Sequence, residues 1–145
     1  MPVAPRMKPI LALTLGDPAG TGPELLTKAL ALPEIQSLCR PLVIGDAVTL
    51  ERARTFTGVT QRIHVVASPE AATFSPGSID VLDLHNVDAA RLQLGRIDAM
   101  CGQAAYEAIK VAAELALAGQ VRAIVTSAIN KAALNQAGHH FDGQT

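Results

Sequence analysis

Two stretches of the chain hold residue types at spacings that could do chemistry. The first is Gly16-Asp17-Pro18-Ala19-Gly20-Thr21-Gly22-Pro23-Glu24. Its glycines allow another group to approach the backbone closely, and Asp17 offers a carboxylate. It joins an apolar segment, Ile10–Leu15, to a helical pattern beginning near Pro23. Open α/β sheets bind ligands at such strand-to-helix junctions, and helix N-termini favour anions. No Lys-Ser or Lys-Thr follows the last glycine, so this is not a nucleotide-triphosphatase phosphate loop. The glycine spacing is not the dinucleotide fingerprint either. A tight turn into a capped helix accounts for the same residues equally well.

The second stretch is Val125-Thr126-Ser127-Ala128-Ile129-Asn130-Lys131. A strand ends in small and hydroxyl residues, and a helix begins near Asn130. Lys131 at that edge could meet a phosphate or a carboxylate, although a single lysine is most often only solvated. Asp17, Gly20, Thr126 and Lys131 are therefore the candidate cleft-lining residues. His139 and His140 invite a metal, but neighbours on an extended chain point to opposite faces. No cysteine or carboxylate stands at a zinc-type spacing from them. They are expected to be surface-loop histidines, and no metal site is expected within the chain. His64 and His85 carry no assigned chemistry, and Tyr106 is expected on a packed helix face. Cys39 and Cys101 are isolated and expected to be free thiols. No Ser-His-Asp or Cys-His arrangement can be argued, so catalytic residues are not assigned.

The elements that must position these residues follow from hydrophobic pattern and punctuation. Ile10–Leu15, Leu42–Ile44, Ile63–Val66, Ile79–Leu84 and Ala123–Thr126 read as strands, the first and last of them buried. Pro23–Leu32, Ala47–Arg54, a long stretch from Ile97 to Ala118, and Lys131–Ala137 read as helices. Thr21-Gly22-Pro23-Glu24 fits a capping box with Pro23 at the first helical position. The long helix carries Ile97, Cys101, Ala104, Ala108, Ala112 and Leu115 on one stripe, and Gly119 and Gly138 are its and the last helix's stop signals. Met1–Pro9 reads as a loose leader and Ser68–Ser78 as the longest loop. The β-α-β-α-β-β-α-β-α order predicts an α/β fold, layered α/β/α around a largely parallel sheet.

Composition excludes several function classes. The 145 residues are 49% hydrophobic and 17% charged, too apolar for a disordered chain. Twelve Lys+Arg against 13 Asp+Glu give a net charge of −1, without the electrostatic footprint of a nucleic-acid binder. With Phe 3, Tyr 1 and Trp 0 the core must be aliphatic, and base stacking has few platforms. No apolar run reaches the roughly 18 residues of a membrane span, and the apolar run after the basic start meets Asp17-Pro18 rather than a cleavage site. His139 to Thr145 halts without a closing strand or helix. The chain is therefore expected to be a fragment with an unfinished sheet, exposing a broad apolar face and tending to associate.

The two motifs, in this order and at this separation, are similar to those of the 4-hydroxythreonine-4-phosphate dehydrogenase family. The resemblance rests on Gly16 to Glu24 and on Val125 to Leu134, followed by Ala137-Gly138 and Phe141-Asp142-Gly143-Gln144-Thr145. The helix from Gly102 through Tyr106 to Gly119, then Val121 to Thr126, resembles the family's approach to the second motif. The resemblance implies an isocitrate/isopropylmalate dehydrogenase-like two-domain fold. Residues 1–145 would be its N-terminal portion, truncated before the metal-binding and most cofactor-binding segments. It implies a cytoplasmic homodimer that uses NAD and a divalent metal (Zn, Mg or Co), the metal held by three histidines that would all lie beyond Thr145. The implied substrate is a small phosphorylated hydroxy acid, 4-phosphohydroxy-L-threonine. Oxidation of its 3-hydroxyl gives a β-keto acid that loses CO2 on the way to pyridoxal phosphate.

Gln144 and Thr145 fall on the family's Gly-His-Thr-Glu motif, whose His and Thr contact substrate. Gln144 stands in the His position and Thr145 matches. Glutamine hydrogen-bonds but does not carry a proton near neutral pH. Dehydrogenases for D-threonate or D-erythronate 4-phosphate or for a cyclic diol, and a catalytically inactive truncated relative, stand as alternatives. The 145-residue piece alone is expected to be inactive.

Overall fold

Residues 6–142 are described here by a computed structural model. In chain order the elements are β1 (Ile10–Thr14), α1 (Gly22–Leu30), α2 (Pro33–Leu38), β2 (Arg40–Gly45), α3 (Ala47–Thr57), β3 (Arg62–Val66), β4 (Ser78–Asp83), α4 (Ala99–Leu117), β5 (Ala123–Val125) and α5 (Lys131–Gln136). The strands form one five-stranded sheet in the order β3-β4-β2-β1-β5. Every pairing is parallel: Leu13 sits opposite Val43 on one side and Val125 on the other. Parallel strands need crossovers; α-helices supply all but the β3-to-β4 link, which carries only a 3-10 turn, and helices cover both faces of the sheet.

Alternation along β1 shows how the layers are built. Leu13 joins Leu26, Leu30, Val43, Leu50 and Val81 in the core beneath α1 and α3. Ala12 joins Leu42, Ile44, Ala108 and Ala112 in the core beneath α4. Successive side chains point to opposite faces, so a strand feeding two cores must be apolar at nearly every position, as Ile10–Leu15 is. The small alanines of α4 let that helix lie close on the sheet. The expected layered α/β/α fold with a parallel sheet is what forms.

Several local expectations are corrected. The capping box at Thr21 does not form. Thr21 already has near-helical angles (φ −89°, ψ −13°) and its side chain makes no capping bond, so α1 begins at Gly22 and Pro23 is its second residue. α2 was not legible in the pattern; it is one short helix opened by Pro33. Ile97 lies ahead of α4 and is 52% exposed, because Asp98 starts the helix by accepting from Met100 N at 2.7 Å. β5 is not a buried strand. It pairs with β1 alone at the sheet edge, and Val125 is 46% exposed. Segment 68–78 contains a 3-10 turn at Pro69–Ala71, and the longest irregular stretch among the described residues is 84–98. Gly119 (φ 75°) and Gly138 (φ 89°) do end their helices in left-handed conformation. Among the described residues no helix is long and apolar enough to cross a membrane.

Candidate functional site

β1 has β2 on one side and β5 on the other. The chain leaves β1 through α1 and α2 toward β2, and reaches β5 only after α4. The chain thus runs from β1 to one side of the sheet and returns to β5 on the other, and in open α/β sheets such a switch puts the expected ligand crevice outside the carboxyl ends of the strands. The loops at those ends are 15–21 and 126–130, the two stretches singled out by residue type.

The two loops are locked together. Asp17 N donates to Ala128 O at 2.9 Å, and Ser127 N donates to Thr14 Oγ1 at 3.2 Å. Gly16 has φ +76°, and a Cβ there would lie 2.5 Å from Ala128 O and 2.8 Å from Ser127 Cβ. A Cβ on Gly22 would run into Leu15 O and sit 3.0 Å from Ser127 Cβ. Gly16 and Gly22 therefore serve loop-to-loop contact, while Gly20 is exposed at the crevice.

Asp17 faces inward. It is 6% exposed, its Oδ1 accepts from Ala19 N at 2.8 Å, and it bonds the Cys101 thiol of α4. Burial holds its carboxyl above the ordinary value; the Ala19 and Cys101 bonds oppose this, and the nearby Asp98 charge adds to it. Burial, followed by the charges of Asp17 and Asp98, pushes the Cys101 thiol up to about 11. Asp17 thus braces the glycine turn against α4. Segment 84–98 joins the same corner: Gly95 N donates to Ala19 O at 2.8 Å, and Leu92 packs with Ala19 and Cys101.

On the facing loop, Thr126 and Lys131 are exposed. Asn130 starts α5 by accepting from Ala133 N at 3.0 Å. α5 presses onto α4 where Gly102 leaves room for the Ala133 carbonyl. Lys131 Nζ donates to Asp142 O at 3.3 Å, so the chain after α5 turns back toward the crevice. Gln144 and Thr145 lie outside the described residues.

Two features escaped sequence reasoning. His139 is not a free surface histidine. The left-handed Gly138 folds the chain back on α4, where the His139 ring stacks on Tyr106 at 3.7 Å and Nε2 lies 2.7 Å from Gln103 Oε1; His140 is exposed. The second is a cluster at the ends of β2 and β4, where ligating atoms of Asp46, Asp83 and His85 lie within 4.8 Å of one another. One oxygen of each carboxylate already serves the backbone. Asp46 Oδ2 accepts from Thr49 N and Thr49 Oγ1, both at 2.8 Å. Asp83 Oδ1 accepts from Ala47 N at 3.0 Å and His85 N at 2.9 Å. These carboxylates build the start of α3 and the bend after β4. The cluster, with one histidine, does not fit the three-histidine centre that the resemblance implies.

The geometry has counterparts in known proteins. Residues 37–145 match the family model described as pyridoxal phosphate biosynthetic protein PdxA. The chain is 46% identical over 138 residues to a candidate D-threonate 4-phosphate dehydrogenase of Symbiobacterium thermophilum. It is 41% identical over 139 residues to the 4-hydroxythreonine-4-phosphate dehydrogenase of Trichlorobacter lovleyi. Each match covers 95% of this chain and 41% of the relative, so the chain spans about two-fifths of the curated relatives it matches. A crystal structure of a 4-hydroxythreonine-4-phosphate dehydrogenase from Burkholderia phymatum superposes with a TM-score of 0.92 at 40% identity, covering 95% of this chain and 42% of that one. A terephthalate 1,2-cis-dihydrodiol dehydrogenase from Burkholderia xenovorans superposes with a TM-score of 0.72 at 28% identity, covering 92% and 38%. With both strand-end loops inside this shared fold and most of the sequence inside the family match, the chain belongs to the PdxA family.

Proposed function

We propose that this chain is the N-terminal portion of an NAD-dependent dehydrogenase for a four-carbon, 4-phosphorylated hydroxy acid: 4-phosphohydroxy-L-threonine, or D-threonate 4-phosphate as the alternative. The observation that carries the proposal is the meeting of two glycine- and hydroxyl-rich loops at the carboxyl ends of β1 and β5, locked by the Asp17–Ala128 bond. The names of the relatives support the substrate class. NAD, when bound, would supply the hydride acceptor for the carbinol carbon, and the hydroxyl proton would be released. The β-keto acid formed from phosphohydroxythreonine then loses CO2.

This chain's own residues would bind and orient rather than transfer protons. Lys131 offers a positive charge to the phosphate or carboxylate, and Thr126 offers a hydroxyl. The exposed Gly20 backbone admits close approach, and Asp17 holds the turn. Gln144 and Thr145 would contact substrate by hydrogen bonds. NAD and a divalent metal are the proposed cofactors, with residues other than the described ones holding the metal. A cytoplasmic homodimer is the proposed state of the protein. A second reading, oxidation of a cyclic diol, is favoured by the likeness to the dihydrodiol dehydrogenase fold.

The test is an NADH absorbance assay on the gene product isolated from its native cells. It is supplied with NAD, a divalent metal and each phosphorylated acid in turn. NADH should form with one of the acids, and the purified 145-residue chain should form none. A native product that oxidises only a cyclic diol, or neither acid, overturns the proposal.

A further inference from the structure

β1, β2 and β4 begin side by side at Ile10, Arg40 and Ser78. These amino ends lie about 17 Å along the strands from the loops that form the candidate crevice. A cavity of about 690 Å³ opens there, bounded by α2 and by segment 69–75. Small-molecule sites occupy roughly 300–1,000 Å³. Its apolar walls come from both layers of the fold. Leu30 and Ile79 belong to the core beneath α1 and α3, while Ile10 and Phe74 pack against the core beneath α4.

Four charged side chains line the cavity, and they are not equally engaged. Asp80 is buried; its Oδ1 lies 2.6 Å from His64 Nδ1, and its Oδ2 accepts from Phe74 N at 2.7 Å. Glu70 Oε1 accepts from Gln120 Nε2 at 2.9 Å. The cations keep most of their donors. Lys8 Nζ donates to Gln36 O at 2.8 Å, and Arg40 Nε donates to Lys8 O at 2.7 Å. Among the described residues the terminal nitrogens of Arg40 make no hydrogen bond, and neither cation has a carboxylate at ion-pair distance. The Arg40 guanidinium carbon stands 5.4 Å from the centre of the Phe74 ring. The bond from Phe74 N to Asp80 holds Phe74 at φ +51°, a left-handed angle uncommon outside glycine, and so sets the ring against Arg40. We propose that this cavity is a second binding site, independent of the crevice, for a small monocarboxylate with an apolar body. The open fork of the guanidinium matches a carboxylate, and the aliphatic walls and the Phe74 ring match the body. Glu70 and Asp80 on the walls disfavour a phosphate dianion, because like charges brought together repel.

The experiment titrates the 15N-labelled chain with 4-phenylbutyrate, with 4-phenylbutyramide and with inorganic phosphate, followed by 1H–15N spectra. 4-Phenylbutyrate should shift the amides of Arg40, Phe74, Ser78 and Ile79 and saturate with a Kd of about 1 mM or tighter, the scale for a ligand of about a dozen heavy atoms. The amides of Gly20 and Thr126, at the other end of the sheet, should stay in place. 4-Phenylbutyramide keeps the apolar body and loses the charge, so it should bind about tenfold or more weakly, the share of one charge-assisted hydrogen bond. Arg40→Gln should weaken the carboxylate by a similar factor, with the urea midpoint reporting that the fold is kept. If that variant does not fold, the comparison of carboxylate with amide on the parent chain decides alone. Equal binding of the two ligands overturns the proposal, as does the absence of saturating shifts up to about 10 mM. Shifts centred on Gly20 and Thr126, or phosphate moving the Arg40 and Ser78 amides as strongly as the carboxylate does, also overturn it.

Discussion

Gly16→Ala separates the cost of an unusual backbone angle from the cost of parting the two crevice loops. Gly16 has φ +76°, and Gly58, at the end of α3, has φ +68°. An alanine at either site meets the left-handed penalty, roughly 1–2 kcal/mol. At Gly58 nothing lies within 4 Å of the added Cβ, so the loss should stop there. At Gly16 the Cβ would sit 2.5 Å from Ala128 O and 2.8 Å from Ser127 Cβ, both backbone or near-backbone atoms that cannot swing aside. Relief requires the loops to separate, at an overpacking cost of about 1–3 kcal/mol. Separation also strains the Asp17 N to Ala128 O bond, worth about 1 kcal/mol net. Gly16→Ala should therefore cost about 2–4 kcal/mol more than Gly58→Ala. Urea unfolding followed by far-ultraviolet circular dichroism gives both values. With a slope of about 2 kcal/mol per molar urea, the two midpoints should differ by about 1–2 M. Equal losses for the two variants would refute the claim that Gly16 is there to let the loops meet.

Other consequences follow from the same structure. Asp17 has a folded-state pKa raised above 3.8, so the folded chain binds that proton more tightly than the unfolded one. Ionised Asp17 therefore costs stability above its folded pKa, and that cost is relieved as the pH falls through the raised value toward 3.8. Asp17→Asn should remove this component, so the stability difference between variant and parent should shrink across that window; parallel pH profiles would contradict the burial argument. Cys101, with its thiol up at about 11 and 1% exposed, should alkylate at least tenfold more slowly than the half-buried Cys39 in iodoacetamide at a pH of about 8.5. Peptide mass mapping over time checks this, and equal rates would refute it. Asp46→Ala removes the cap that accepts from Thr49 N and Oγ1 and should cost about 1–2 kcal/mol in urea unfolding; no loss would reopen Asp46 as a free ligand.

The centre of the sheet was legible because β1 and β2 carry short apolar runs stopped by glycine and aspartate, and parallel strands buried on both faces must look like that. The strand-end motifs were legible for the same reason: Gly16, Gly22 and Ser127 mark places where two backbones meet. What the pattern hid was set by partners distant in sequence. Val125 looks like any buried strand residue, and only the strand order leaves it at an edge. Thr21-x-x-Glu24 has the letters of a capping box, but the turn before it brings Thr21 into the helical region already. His139 reads as a loop histidine until Gly138 folds it onto Tyr106, 33 positions earlier in the chain's numbering. Asp17 carries the look of a ligand-binding carboxylate, yet its partner Cys101 turns it into a brace. Asp46, Asp83 and His85 gather only because β2 and β4 are neighbours.

The most direct test of the crevice is a 1H–15N titration of this chain with D-threonate 4-phosphate, repeated with 4-phosphohydroxy-L-threonine. Shifts at the amides of Gly20 to Gly22, of Thr126 to Lys131 and of Gln144 and Thr145, saturating even at millimolar ligand, are the predicted result. Shifts centred at the opposite, amino ends of the strands, around Arg40 and Ser78, or none from either acid, would contradict the account.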